Sequence, residues 1–223
     1  MTTQNDAIDS ASWDAELNRD DLSGENIATD PLALFGEWFK QARAADFVDA
    51  TAAAIATADR DARPSVRTVL VKSFDEKGFY FYTNYSSRKG QELAVNPHAA
   101  LLFWWDKLER QVRIEGPISE LAGADSDAYF ARRPRGSQIG AQASPQSQII
   151  ASRGALEQRV ADAEAEFGDA AIPRPNDWGG YCLTPKHIEF WQGRSNRLHD
   201  RIVYTRLLEE PIETAWQISR LSP

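Results

Sequence analysis

Between Ile188 and Arg201 the chain reads IEFWQGRSNRLHDR, which places Trp191, Arg197, His199, Asp200 and Arg201 within fourteen residues. Elsewhere cations gather in short clusters: Arg67 with Lys72, Arg88 with Lys89, and Arg132 and Arg133 with Arg135. A guanidinium offers a planar fork of donors matched to phosphate or carboxylate, and an indole offers a face on which a planar molecule stacks. Cations beside aromatics in a chain of net charge −8 point to small anionic ligands rather than to a general affinity for polyanions. Two anions, one flat and one phosphorylated at its end, account for all of the clusters.

Spacing assigns the groups to faces. In RTVLVK a strand turns Arg67 to the side of Val69 and Val71, and Lys72 to the side of Thr68 and Leu70. The pair therefore serves two different groups, or else both are solvated edge charges. Arg88 and Lys89 follow the strand FYFYTN and open a helix, where free N–H groups and the helix dipole favour an anion. Tyr82 and Thr83 end that strand and add hydroxyls. Tyr129, Arg133 and Ser137 recur at intervals of four and form one side of a phosphate cradle. Gln146 and Ser147 are neutral hydrogen-bonders in a turn, and Gln111 faces away from Val112 and Ile114. In extended chain Arg197, His199 and Arg201 share a face, with Leu198 and Asp200 on the other. A structural Arg–Asp network is the alternative for that run.

Several chemistries lack their motifs. No G-x-G-x-x-G or G-x-x-x-x-G-K-[ST] is present, nor a G-x-S-x-G elbow. His98, His187 and His199 are scattered and Cys182 is the sole cysteine, so no metal site is expected. If the protein is an enzyme, an organic cofactor supplies its reactivity. Residues 1–50 hold 11 Asp+Glu and 3 Lys+Arg, and the rest of the chain has 22 of each, so the acidic excess lies at the N-terminal end. This argues against nucleic-acid or anionic-membrane partners. One cysteine, no basic-then-apolar start, and apolar runs no longer than AALLFWW at 99–105 predict a cytoplasmic location.

These groups need elements to hold them. Residues 1–29 are rich in Asp, Ser, Asn and Thr and read as a mobile acidic arm; 30–223 read as one domain. Asp30-Pro31 starts a helix with Leu32, Phe35, Trp38, Phe39 and Ala42 on its apolar face. TAAAIATA, SVRTVLVKSF, GFYFYTN, AALLFWW and RQVRIEGPISEL read as strands, with a short helix in SSRKGQELAVNP. Helices are expected over 123–133 and 152–167, the latter through Leu156, Val160, Ala163 and Phe167. Strands return at GYCLTP, HIEFWQ, RIVYTR and TAWQISRL. The fold class is mainly β with peripheral helices (α+β), a closed or nearly closed barrel.

From about Asp30 onward the chain resembles pyridoxamine 5′-phosphate oxidases. The resemblance rests on DPLALF, RTVLVK, FYTN–SSRK, LERQVRIEG, YFARRPRGSQIGA, the ASPQSQ turn, WGGYCLTP–IEFWQGRSNRLHDR and the terminal RLSP. It implies an FMN-binding split β-barrel and a homodimer with its sites at the subunit interface. It further implies that FMN is held by Arg67, Thr68, Val69, Leu70, Val71, Lys72, Tyr82, Thr83, Arg88, Lys89, Gln111, Gln146, Ser147, Trp191 and Arg201. Lys72, Tyr129, Arg133 and Ser137 would hold a substrate phosphate, with Arg197, Leu198 and His199 at its ring and Arg197 and His199 as catalytic residues. The implied reaction oxidises pyridoxamine or pyridoxine 5′-phosphate to pyridoxal 5′-phosphate with dioxygen, releasing hydrogen peroxide, and ammonia from the amine. Asp49 is a further acid–base candidate. The chain departs from the family's usual pattern at Asp14 and Leu17, where an Arg and a Tyr of a lid are common, at Gln142 in place of a Trp, and at Thr68 in place of a larger apolar residue. Two alternatives remain: a different FMN-dependent oxidoreductase on this barrel, or a non-catalytic module that binds FMN or pyridoxal phosphate.

Overall fold

Alternation of small or branched residues with larger ones drives this chain into antiparallel strands, and those strands close on one another. The computed structural model describes Leu22, residues 27–207 and residues 216–223. Asp14, Leu17 and most of the acidic arm lie outside the described residues. In chain order the strands are β1 (Ala52–Ala58), β2 (Pro64–Asp75), β3 (Gly78–Asn84), β4 (His98–Trp105), β5 (Arg110–Glu120), β6 (Trp178–Leu183), β7 (His187–Gln192), β8 (Asp200–Arg206) and β9 (Trp216–Arg220). The helices are α1 (Pro31–Ala44), α2 (Arg88–Val95), α3 (Gly123–Ala131), α4 (Arg135–Ala143) and α5 (Arg153–Phe167).

Six strands form a closed circuit, β1–β2–β3–β6–β5–β4 and back to β1. β5 divides its pairing: Arg110–Glu115 align with β7, while Ile118–Glu120 align with β6. The sheet therefore splits there, and β7, β8 and β9 continue it outward. This is a split β-barrel with peripheral helices. Its interior takes every second residue: Ile55, Phe81, Leu101, Phe103, Val112, Ile114, Ile188 and Phe190 are almost wholly buried. Each such side chain contributes roughly 1.5–3 kcal/mol through burial.

α1 begins as the sequence predicts, with the Asp30 carboxylate accepting from the Leu32 N–H at 2.9 Å and Pro31 in the first turn. Its buried face carries Phe35 and Trp38. The Phe35 ring meets Phe79 and Phe103 edge-on, and Trp38 meets Phe190 on one side and the Arg110 guanidinium, 4.4 Å away, on another. Of the N-terminal segment, Leu22 is fully buried, and the Ala28 carbonyl accepts from the Tyr204 hydroxyl at 2.6 Å. α3, α4 and α5 enclose a second apolar cluster of Phe130, Ile139, Ala143, Ala163, Ile172 and Trp178. Among the described residues no helix is long and apolar enough to cross a membrane.

Candidate active site

On the outside of the barrel, where β2 and β3 meet α2, α3 and α4, there is a cavity of about 440 Å³. Its lining includes Lys72, Tyr129, Arg133 and Ser137, the four residues expected to hold a substrate phosphate. Thr68, Val69, Leu70, Tyr82, Thr83, Lys89 and Gln146 line it as well. The strand parity read from RTVLVK holds: Thr68, Leu70 and Lys72 are exposed, whereas Val69 and Val71 are buried. Lys72 stands at a break in the β2–β3 register between Val71 and Ser73, and such a bulge re-aims the side chain it carries.

Tyr129, Arg133 and Ser137 do not share one helix, although their spacing suggested it. Tyr129 lies in the last turn of α3, Arg133 in the turn before Pro134, and Ser137 in the first turn of α4. The helix–turn–helix brings them to one wall. The Arg132–Arg135 cluster divides. Arg132 and Arg133 line the cavity, while Arg135 donates to the Ala170 carbonyl at 2.9 Å and to that of Gly168, closing the C-terminal end of α5.

Three rings hold this wall. Tyr82 stacks on Tyr129 at 3.7 Å between centroids and lies nearly parallel to Trp178 at 5.6 Å. The Arg133 guanidinium lies 4.6 Å over the Trp178 ring, and its Nη1 is buried with no hydrogen-bond partner among the described residues. A buried guanidinium nitrogen without an acceptor is the complement of an anion. Burial holds the Arg133 pKa below its ordinary value, partly offset by Tyr129. The WGG motif explains the flatness of the stack: a Cβ at Gly180 would lie 2.7 Å from the Tyr82 ring and 2.5 Å from Leu121. Trp178 was given no role by the sequence reading, and Arg132 entered only as a member of a cation cluster; an indole beside two glycines at a strand start was the available signal for Trp178.

Lys89 is buried at the start of α2, where its ammonium donates to Thr83 Oγ1 at 3.0 Å and to Gln146 Oε1 at 2.9 Å. Burial, reinforced by the charge of Arg67, lowers its pKa to about 8, with Glu92 acting in the opposite sense. The N-terminus of α2 is capped by Ser87, whose hydroxyl accepts from the Gly90 N–H. Arg67 does not line the cavity; it turns inward to Thr57, Ser65 and Glu92. Arg88 also pairs with Glu92. The Val71 side chain belongs to the core, so backbone alone is available there for a ligand. Ser147 is exposed with a left-handed backbone, φ 69°.

The remaining expected residues form a second group. Trp104, Gln111, Trp191 and Arg201 are register partners across β4, β5, β7 and β8 and so share one face of the sheet. Gln111 faces away from the barrel interior, as its neighbours Val112 and Ile114 require. His199 lies against Trp191 at 4.5 Å between centroids. Its Nδ1 accepts from the Arg194 N–H at 3.1 Å, which places the ring proton on Nε2. Burial, with help from Arg197, lowers its pKa and keeps the ring neutral.

The shared face expected for Arg197, His199 and Arg201 is not observed. Residues Ser195–Arg197 form a 3-10 turn with left-handed Asn196 and Arg197, so alternation breaks there. Arg197 and Leu198 are exposed. The structural network allowed for this run is present around the other residues. Asp200 accepts from Arg194 and Arg220, both at 2.6 Å, and Arg201 pairs with Glu189 at 2.7 Å. Asp49 uses Oδ1 to accept from the N–H and hydroxyl of Thr51, a turn contact that lowers its pKa. Gln142 donates to the Pro173 carbonyl at 2.7 Å, outside this cavity.

None of Gln111, Trp191, Arg197, His199 or Arg201 lines the cavity at β2. Strands β1 and β4 separate β2 from β5, so the two groups stand roughly 14 Å apart along the sheet. The expected residues therefore fall into two separate groups on the chain.

Comparison with known proteins gives a consistent picture. A family model described as pyridoxamine 5′-phosphate oxidase matches residues 39–166, and one described as the pyridoxine 5′-phosphate oxidase C-terminal dimerisation region matches residues 178–223. The pyridoxine/pyridoxamine 5′-phosphate oxidase of Trichormus variabilis is 52% identical, covering 91% of this chain and 92% of that protein. The protein of the same name from Burkholderia vietnamiensis is 53% identical, with 92% and 95% covered. Among solved structures, PhzG from Burkholderia lata, in complex with tetrahydrophenazine-1-carboxylic acid, matches with a TM-score of 0.84 at 32% identity over 95% of this chain and 100% of that one. A pyridoxamine 5′-phosphate oxidase-related, FMN binding protein from Nostoc punctiforme shares the fold, with a TM-score of 0.68 at 18% identity over 87% of this chain and 98% of that one.

Proposed function

The chain belongs to the pyridoxamine 5′-phosphate oxidase family, and we propose that it is an FMN-dependent oxidase of pyridoxamine and pyridoxine 5′-phosphates, working as a homodimer. The observation that carries this reading is the cavity at β2, where Lys72, Tyr129, Arg133 and Ser137 face the same space as Thr83, Lys89 and Gln146. Two sets of anion-binding donors in one cavity suit two phosphorylated ligands side by side. The orphaned Arg133 Nη1 and the buried Lys89 ammonium fit such ligands.

The homodimer follows from the two separate groups. A flavin seated by Lys89, Thr83 and Gln146 of one subunit needs Gln111, Trp191 and Arg201 from the other. The outward face of β2 and β4 supports pairing, since Val66, Leu70 and Trp104 are 68%, 39% and 44% exposed and make an apolar surface of the kind that marks interfaces. The match of residues 178–223 to a dimerisation region agrees.

When bound, FMN supplies a two-electron acceptor that dioxygen regenerates with release of hydrogen peroxide. The chain's own residues bind and orient. Lys72, Arg133, Tyr129 and Ser137 grip the substrate phosphate, each charge-assisted bond contributing about 1.5–3 kcal/mol. Arg197 covers the pyridine ring, and neutral His199 presents its Nε2–H to a polar ring substituent. The 4′ carbon loses a hydride and its amine a proton; the resulting imine takes up water, giving aldehyde and ammonia. Near-attack geometry contributes several kcal/mol to such a step.

Lys89 makes cofactor binding pH-dependent. The folded protein releases this proton near pH 8, whereas an unfolded lysine keeps it until about 10.5, so folding stability rises with pH between these values. Binding a phosphate dianion requires the charged form. FMN affinity is therefore expected to fall above pH 8, by at most about tenfold per pH unit. Quenching of FMN fluorescence on titration with apoprotein checks this, and an unchanged affinity at pH 9.5 contradicts it.

The likeness to PhzG carries a second reading, in which the same cofactor oxidises a reduced ring carboxylate. The two readings separate on substrate. Pyridoxamine 5′-phosphate in air should yield pyridoxal 5′-phosphate and peroxide in equal amounts, while unphosphorylated pyridoxamine reacts poorly. Preferential oxidation of a reduced phenazine carboxylate would favour the second.

A further inference from the structure

Glu92 lies on α2 in a helix start crowded with cations, and a lone Glu among charged neighbours reads in sequence as a solvated side chain. The structure places it otherwise. It is 6% exposed, and both carboxylate oxygens are occupied. Oε1 accepts from Arg88 Nε at 2.9 Å. Oε2 accepts from Arg67 Nη2 at 3.2 Å, from the Ser65 hydroxyl at 2.6 Å, and from the Thr57 hydroxyl. The two hydroxyls also accept from Arg67: Thr57 Oγ1 takes Nη1 at 2.5 Å, and Ser65 Oγ takes Nη2. Arg67 is thus held on two sides by groups that Glu92 itself orients.

The charge balance has a consequence. Arg67, Arg88 and Lys89 carry three positive charges around the single negative charge of Glu92, leaving a net charge of two. That matches a phosphate dianion. Burial alone would raise the Glu92 pKa, but the bonds from Ser65, Thr57, Arg88 and Arg67 outweigh it and hold the carboxyl at about 2, so it stays ionised. Without this anion, three neighbouring cations repel one another, and Arg67 loses the partner that fixes its guanidinium.

We propose that Glu92 is a positioning residue for the cofactor phosphate: it fixes Arg67 and Arg88 behind the cavity wall, so that their charge adds to that of Lys89, which lines the cavity, before the ligand arrives. The inference rests on the reading that this site receives the FMN phosphate. Pre-ordering of the cations removes an ordering cost from binding.

The test compares FMN with riboflavin, which lacks the phosphate, on apoprotein. In Glu92→Ala the dissociation constant for FMN should rise by about tenfold or more, the scale of one charge-assisted bond, while that for riboflavin stays unchanged. Glu92→Gln, which keeps one acceptor oxygen but loses the charge and the second acceptor, should recover only part of the loss. Ser65→Ala removes one strut from a partly exposed position and should weaken FMN alone by a few-fold if Glu92→Ala does not fold. Equal or tighter FMN binding by the folded Glu92→Ala protein, or a parallel loss of riboflavin, overturns the proposal. Wild-type protein that binds neither flavin would instead overturn the functional reading beneath it.

Discussion

Arg197→Ala is expected to lower kcat/KM for pyridoxamine 5′-phosphate by roughly 100-fold, the scale of a misplaced reacting group, while FMN stays bound and the melting temperature holds. The separation of these readouts follows from the structure. Arg197 is exposed and makes no hydrogen bond or ion pair among the described residues. Removing it therefore costs the fold no hydrogen bond or ion pair among the described residues. Its backbone sits at φ 60°, a conformation that costs a non-glycine residue about 1–2 kcal/mol. Such local strain without a local partner is consistent with a side chain held ready for a ligand. Steady-state kinetics with a flavin absorbance spectrum of the same sample reads both effects. Unchanged turnover and unchanged KM would remove Arg197 from the proposed mechanism.

The second large effect concerns assembly. If each site combines the β2 half of one subunit with the β5–β7–β8 half of the other, two inactive variants should rescue each other. Arg133→Leu disables the first half and Arg197→Ala the second. In a mixed dimer one site inherits both lesions and the other inherits neither. Random pairing makes half of the dimers mixed, each with one intact site of two, so activity should return to about one quarter of wild type. Co-expression of the two variants with one common tag, followed by purification and assay of the whole dimer pool, measures this. A mixed sample no more active than its parents would show that each chain builds its site alone, despite the β1 and β4 strands that separate the two groups.

How much of this was legible beforehand differs by element. The barrel strands were, because period-2 alternation survives wherever one face is buried: Val69 and Val71 point in, and Thr68, Leu70 and Lys72 point out. The same rule failed at Arg197, where a 3-10 turn interrupts the extended chain. Helix α4 was not foreseen. RGSQIGAQA carries two glycines and no sustained apolar period, and only packing of Ile139 and Ala143 against Phe130 and Ala163 makes it helical. Tyr129, Arg133 and Ser137 do line one cavity, but not through the helical spacing read in the sequence, since they converge through a helix–turn–helix. Glu92 was invisible for a physical reason. Its burial depends on Thr57 and Ser65, which are distant in sequence and reach it only once β1 and β2 pair. The separation of the expected residues into two groups was not legible from residue order, which does not reveal that β1 and β4 intervene; only the family resemblance implied sites shared between subunits.

The decisive observation is an anaerobic titration of the purified protein, reconstituted with FMN, by pyridoxamine 5′-phosphate. One equivalent should bleach the visible flavin band, and admitting air should restore it with one pyridoxal 5′-phosphate and one hydrogen peroxide formed per cycle. A protein that stays colourless after reconstitution, or a bound flavin whose band is untouched by the substrate, would contradict the assignment.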